Sequence, residues 1–448
     1  MRKPLTFALA VLGSLVPAQA ALAAPGGSDD AARAVASEVL VGYKAASTAQ
    51  ARERAAAKVR STGREAIARA RVDVDLLRLP SGASNAKAID ELRADDAVAY
   101  AEPNWRVETQ ATATDPFFTD RRLWGMYSDA TTSTDIYGSQ AEEAWAAGHT
   151  GSKGSYVGII DEGIQFTHPD LDGQVWTNPN DPVNGKDDDG NGYVDDVHGW
   201  DFDGNNNTIY DGGTRGSLDD HGTHVSGTIA GKANNGKGVV GMNWDATLIS
   251  GKFLGRRGGA VSNAIKAVDY FTDLKRRGIN VVATNNSWGG GGFSQALLDA
   301  IDRGAQQNIL FVAAAGNSGT DNDTTPSYPS GYDTSTTPAG YDAVIAVAAI
   351  SRTGALASFS QYGQRTVDLG APGVDVWSTT AFNSFESYNG TSMATPHVTG
   401  AAALYAASHP GASATEIRSS ILAAAAATPT PSLAGKTTTG GRLNVSGF

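Results

Sequence analysis

The strongest constraint on the fold of this chain is a rhythm that begins at Asp115. From there, short apolar runs suited to buried strands alternate with helical stretches: Tyr156 to Ile160, Leu248 to Leu254, Val281 to Thr284, Ile309 to Ala315 and Val344 to Ile350. The clearest helix places Val261, Ile265, Val268, Phe271 and Leu274 on one face, with Gly278 as its stop. Strands alternating with helices predict an α/β unit, a parallel sheet covered by helices on both faces, with its working residues at strand ends.

Upstream the pattern is different. Residues 38–105 read as a small α+β unit: a strand at Glu38 to Tyr43, a helix at Ala49 to Val59, a strand at Val72 to Leu79, a helix at Ala86 to Arg93 and a strand at Val98 to Ala101. The polar stretch Glu108 to Thr114 has no periodicity and reads as linker. At the very start, Arg2 and Lys3 precede the apolar run Leu5 to Val16, and Ala18-Gln19-Ala20 and Ala21-Leu22-Ala23 offer small-residue cleavage sites. Residues 1–23 are therefore expected to be a signal peptide and the mature protein to be secreted, without a membrane anchor.

Charge and cysteine narrow the function classes. The formal net charge is −12, and residues 1–109 are slightly basic, so the acidic excess lies in the larger unit. Nucleic acid and anionic membranes require a positive footprint, and neither is expected as a partner. The chain has no cysteine, which removes thiol nucleophiles and leaves bound metal as the obvious staple for an exported protein.

Three segments carry chemistry. Val157 to Gly163 delivers Asp161 at the end of an apolar strand, Asp220 to Gly227 sets His221 and His224 where a helix begins, and Gly390 to His397 sets Ser392 at the start of a small-residue helix. Serine attacks an acyl group only when a neutral imidazole takes its proton, and a buried carboxylate must fix that imidazole's tautomer. The helix after Ser392 would aim backbone N–H groups at developing negative charge, and Asn317, in Ala313 to Gly319, would add an amide to the same oxyanion hole. Taken singly, an Asp at a strand end or a Ser at a helix start is usually a turn residue or a cap; four matches in this order reverse that reading. His168, His198, His224 and His397 are read as structural.

At these segments the sequence resembles the subtilisin-like serine peptidases, whose triad runs in the order Asp, His, Ser. HGTHVSG and GTSMATPHV carry the resemblance, which spans residues 115–448. It implies a subtilisin-like fold, an α/β parallel sheet with helices on both faces preceded by a small α+β propeptide domain. It also implies a triad of Asp161, His221 and Ser392 with Asn317 in the oxyanion hole. Residues 38–105 are similar to the family's inhibitor-type propeptide, so the chain's own propeptide is expected to be an intramolecular inhibitor. Residues 106–114 would then hold the maturation site and 115–448 the catalytic domain. A monomer acting on protein and peptide substrates is expected. One departure is Glu162, where the family has Thr or Ser; strand alternation turns Asp161 to the imidazole and predicts that Glu162 points outward.

Ser287-Trp288-Gly289-Gly290 matches the family's substrate-pairing segment. Ser287, Trp288 and Gly289 would form one wall of the pocket for the residue before the scissile bond, Ala314 and Gly316 the other. Small apolar walls predict breadth, with preference for large hydrophobic side chains. Trp288 is open to a second reading as core packing, and Asp321 and Asp323 read as a solvated loop.

Calcium is the expected cofactor, in a structural role. Asp187, Asp189 and Asn191 place oxygens at alternate positions around Gly192, and Asp195 or Asp196 could close the shell; no Glu stands where an EF-hand requires one, and an Asx-rich turn is the alternative. The resemblance implies a second site at Asp115, Asp170 and Asn235. Two rival functions remain open on sequence: a binding protein on an inactive peptidase fold, and a zinc hydrolase built on His221 and His224, for which no third ligand stands out. An α/β-hydrolase would need a G-x-S-x-G elbow, absent around Ser392.

Overall fold

The computed structural model describes residues 34–69, 73–105, 112–127, 129, 134–212 and 218–448. The expected signal peptide and most of the expected maturation segment lie outside these residues. The chain divides into two compact units, Met1–Glu108 and Thr109–Phe448.

In the first unit, strands β1 (Ala34–Tyr43), β2 (Gly63–Arg69), β3 (Asp73–Arg78) and β4 (Val98–Trp105) form an antiparallel sheet in the order β2-β3-β1-β4. Helices α1 (Ala49–Lys58) and α2 (Asn85–Arg93) are capped by Thr48 and Ser84, whose hydroxyls accept from Ala51 and Lys87 amides. Alternate residues Val39, Val41 and Tyr43 of β1 meet Leu77, Leu92 and Val98 in one core. Strand β2 is the element the sequence does not announce. It is an edge strand, and its Ile67 is 52% exposed, so no apolar alternation marks it.

In the second unit, after the short helix α3 (Ala141–Ala146), come β5 (Gly151–Asp161), β6 (Gly199–Asp201), α4 (Asp220–Ala230), β7 (Asp245–Lys252), α5 (Val261–Arg276), β8 (Val281–Asn286), α6 (Gln295–Ala305), β9 (Leu310–Ala314), β10 (Val344–Ile350) and β11 (Leu369–Pro372). The seven strands pair in the order β11-β10-β9-β8-β5-β7-β6, every neighbouring pair parallel. A hairpin, β12 (Val376–Thr380) with β13 (Ser384–Tyr388), leads into α7 (Thr391–Ser408) and α8 (Ala414–Ala426). Both sheet faces are covered. Leu310 and Val312 of β9 pack with Val398, Ala402 and Ile417 of α7 and α8, while Phe311 and Ala313 point to Phe271 and Ile301 of α5 and α6. That double burial makes the strands read as unbroken apolar runs. After β5 the chain builds first to one side and then, from β8, to the other. The carboxyl end of β5 is thus a topological switch point, where open α/β sheets place their ligands.

Candidate active site

Asp161 is the last residue of β5, at that switch point, and is fully buried. His221 stands in the first turn of α4, and its Nδ1 lies 2.8 Å and 3.0 Å from the two carboxylate oxygens of Asp161. This two-point contact makes Nδ1 the protonated nitrogen and leaves the Nε2 lone pair free to accept. Burial alone would lower the imidazole's pKa, but the Asp161 charge, its hydrogen bond and the Glu162 charge outweigh it and raise His221 to about 8.

The start of α4 is held from below. Lys252, the last residue of β7, is buried and forms an ion pair with Asp219 at 2.6 Å, and it reaches Asp211 at 2.9 Å. Asp219 occupies the N-cap position of α4 in a left-handed conformation, with no side-chain capping bond. Reasoning from sequence missed this pair. A charged residue inside the apolar run Leu248 to Leu254 is the signal that could have found it.

Glu162 does not turn outward as strand alternation predicts. Its Oε1 accepts the His221 backbone N–H at 2.6 Å. Two glycines explain the difference. Gly163 sits at φ +118°, and a Cβ on Gly222 would collide with the Gly163 carbonyl, so the end of β5 and the first turn of α4 lie too close for any side chain between them. Burial and the neighbouring Asp161 charge push Glu162 up to about 7, against the pull of the His221 amide.

Ser392 is the second residue of α7. Its hydroxyl donates to the Ser287 carbonyl at 3.2 Å, and the Ser287 hydroxyl donates to the Ser392 carbonyl at 2.9 Å. The second bond has a cause in the sequence. Pro396 has no N–H for the carbonyl four residues earlier, and Ser287 supplies the missing donor. Ser392 Oγ is thus engaged with the Ser287 carbonyl, and bonds between a nucleophile and its base commonly tighten only when substrate is present. Asn317 follows β9, and its Oδ1 accepts both the backbone N–H and the hydroxyl of Thr391, each at 2.9 Å. That fixes the amide, with Oδ1 on Thr391. A point one Cβ bond from Gly390 lies 3.5 Å from the Ser392 nitrogen and 3.6 Å from Asn317 Nδ2, so both donors border the same space.

Strands β8 and β9 are paired up to Asn286 and Ala313, and Ser287-Trp288-Gly289 and Ala314-Ala315-Gly316 follow directly after these two residues. Gly316, at φ +116°, leaves no room for a Cβ against the Gln361 side chain. The Trp288 ring is half-buried and packs edge-on against Phe253 and Phe311, in line with the core reading of this residue. Asp323 is taken up by Arg365 and Thr366. His224, His168 and His397 bond to backbone carbonyls, and burial holds all three below the ordinary histidine range.

Among the described residues, no three acidic or histidine side chains converge as a metal-binding group. Asp187 spends its carboxylate on the Asn191 and Gly192 amides, and Asp189 and Asp196 are linked through the side-chain amides of Asn178 and Asn191. Asp115 and Asp170 are fully buried, bonded to the amides of Asn234, Asn235 and Val239, and the Asn235 side chain donates to Asp170 at 2.6 Å. Burial, the largest influence on both, pushes these two carboxyls up, Asp170 to about 6.

Comparison with known proteins places this geometry in context. Residues 152–446 match the subtilase family (peptidase S8), and residues 23–104 match the fervidolysin N-terminal prodomain. The chain is 31% identical to the thermophilic serine proteinase of Bacillus sp. (strain AK1), over 86% of this chain and 80% of that one. It is 32% identical to thermitase of Thermoactinomyces vulgaris, over 69% and 90%. A solved protease structure from Pseudoalteromonas arctica superposes with a TM-score of 0.57 at 26% identity, covering 75% of this chain and 98% of the other.

Proposed function

The chain belongs to the subtilase family, as a subtilisin-like serine endopeptidase with an N-terminal prodomain, and from that premise we propose that Asp161, His221 and Ser392 are its catalytic triad. The observation that carries this reading is the double contact of Asp161 with His221 Nδ1, together with two N–H donors, from Ser392 and Asn317, bordering one space. Ser392 Oγ attacks the scissile carbonyl while His221 Nε2 takes its proton. The oxyanion formed is held by the Ser392 N–H and Asn317 Nδ2. His221 then protonates the departing amine, and water attacks the acyl-enzyme by the same route in reverse. The slot between Ser287 to Gly289 and Ala314 to Gly316 accepts large hydrophobic side chains before the scissile bond.

The wider reading is of a monomeric, secreted enzyme. Residues 1–23 are removed on export, residues 38–105 inhibit until the chain cuts itself within 106–114, and residues 115–448 form the mature domain. No described helix is long and apolar enough to cross a membrane. Calcium is proposed as a structural ion. Asp115 and Asp170 are two buried carboxylates that make no ion pair among the described residues, a donor set that fits a hard cation. With Asn235 they would hold it, and the ion would add positive charge to a corner where Lys237 is the cation acting on Asp170 among the described residues. The loop of Asp187, Asp189, Asn191 and Asp196 offers the same donor chemistry.

Replacing Ser392 by Ala tests the central reading. The full chain should then hydrolyse nothing, resist labelling by an organophosphonate and remain an uncut precursor. Hydrolysis or self-cleavage by purified Ser392→Ala protein would overturn it.

A further inference from the structure

The mechanism above leaves Glu162 unused, although its carboxylate makes the bond nearest the general base that does not come from the triad itself. The helix carrying His221 needs an acceptor at its start, because the N-cap residue Asp219 provides no side-chain cap. Glu162 fills that need from another element: its Oε1 lies 2.6 Å from the His221 amide, while its own N–H donates to Asp161 Oδ1 at 2.8 Å. One dipeptide therefore grips one histidine at both ends, Asp161 at the ring and Glu162 at the backbone.

Resting on the triad reading, we propose that Glu162 is a positioning residue for the general base, docking the first turn of α4 and adding its charge to the field that stabilises the imidazolium. The charges around it make this effect specific. From β5 it meets Asp161, and from the start of α4 it meets Asp219 and the His221 ring. From β13, Tyr388 feels Glu386, Asp220 and Glu162 together. The buried cation Lys252 is already bonded to Asp219 and Asp211. Among the described residues the groups acting on Glu162 are thus mainly acidic, and an extra negative charge there favours the protonated ring. The sign follows directly. His221 acts as a base only when neutral, so whatever raises its pKa moves the acid limb of the pH–rate profile to higher pH. Removing the Glu162 charge must move that limb down. Glu162 itself takes up a proton near neutrality, so in the unsubstituted enzyme the limb belongs to both groups jointly.

Two variants separate the charge from the bond. Glu162→Gln keeps an acceptor for the His221 amide and loses the charge; Glu162→Asp keeps the charge and shortens the reach. The experiment is kcat/KM on a soluble peptide with Phe before the scissile bond, across the pH range, with a thermal scan of each protein. Glu162→Gln should shift the acid limb down by about half a pH unit or more, with the alkaline plateau within about tenfold of the parent and an unchanged thermal midpoint. Glu162→Asp should leave the limb in place and lower the plateau, because the turn bearing the base is no longer docked. Superimposable profiles for Glu162→Gln and the parent, or a limb displaced upward, would overturn the proposal. Activity retained in Ser392→Ala would instead overturn the triad reading, so the two failures are distinguishable.

Discussion

Two places in this molecule bring a pair of carboxylates together, and they are compensated differently. At the end of β5, Asp161 faces an imidazole, whose charge changes as it takes and returns a proton, and Glu162 holds a backbone amide in the first turn of the helix that carries it. At the other corner, Asp115 and Asp170 face backbone amides and the Asn235 side chain, which carry no net charge and undergo no change. The first arrangement can respond to a proton moving through it. The second holds groups that do not titrate during the reaction, and the proposed calcium would act there on stability. Rate should therefore depend on the first pair and persistence on the second.

The sharpest way to break this contrast is to neutralise one carboxylate in each. Asp161→Asn should lower kcat by ~10⁴-fold, because the amide cannot enforce the productive tautomer of His221, while a thermal scan shows little change. A similar loss of rate in Asp170→Asn would erase the distinction. Next in size, Asn317→Ala should cost ~10²–10³-fold in kcat with KM little altered, since Nδ2 meets only the charge that develops during reaction. The smallest and most different effect concerns calcium. A ligand bound only to the native state at a hundredfold excess over Kd adds ~2.7 kcal/mol. Chelation should thus lower the thermal midpoint by several degrees and hasten self-digestion, with initial peptide rates near normal. Asp170→Asn and Asp189→Ala should each reproduce part of that loss, nearly additively if their sites are separate. Unchanged midpoints in scans with and without chelator would leave both clusters as ordinary turns.

Much of this was legible in the sequence, because the sheet is buried on both sides. Val344 to Ile350 reads as a strand to the residue, and Val261 to Leu274 as a helix, since burial writes itself directly as apolar pattern. Asp161, His221 and Ser392 were locatable because each stands at an abrupt junction between an apolar element and a polar or glycine-rich one. What escaped was polar or decided by close approach. Strand β2 lies at an edge, with Arg64 to Ile67 exposed. Lys252 looks misplaced until Asp219 is seen beneath the helix. The orientation of Glu162 depends on Gly163 and Gly222, 59 positions apart in the chain and in contact in space.

The helix that carries Ser392 has a consequence for how activity is lost. From Met393 to Tyr405 every side chain of α7 is buried, and the sheet lies against it. Segments so enclosed do not open by fraying; their amide hydrogens exchange with solvent only when the whole cooperative unit unfolds. The serine is thus anchored to one of the fully enclosed elements of the molecule. Heat should not disarm this enzyme gradually through a loosened nucleophile, and protection of the α7 amides should vanish in the same step that ends catalysis.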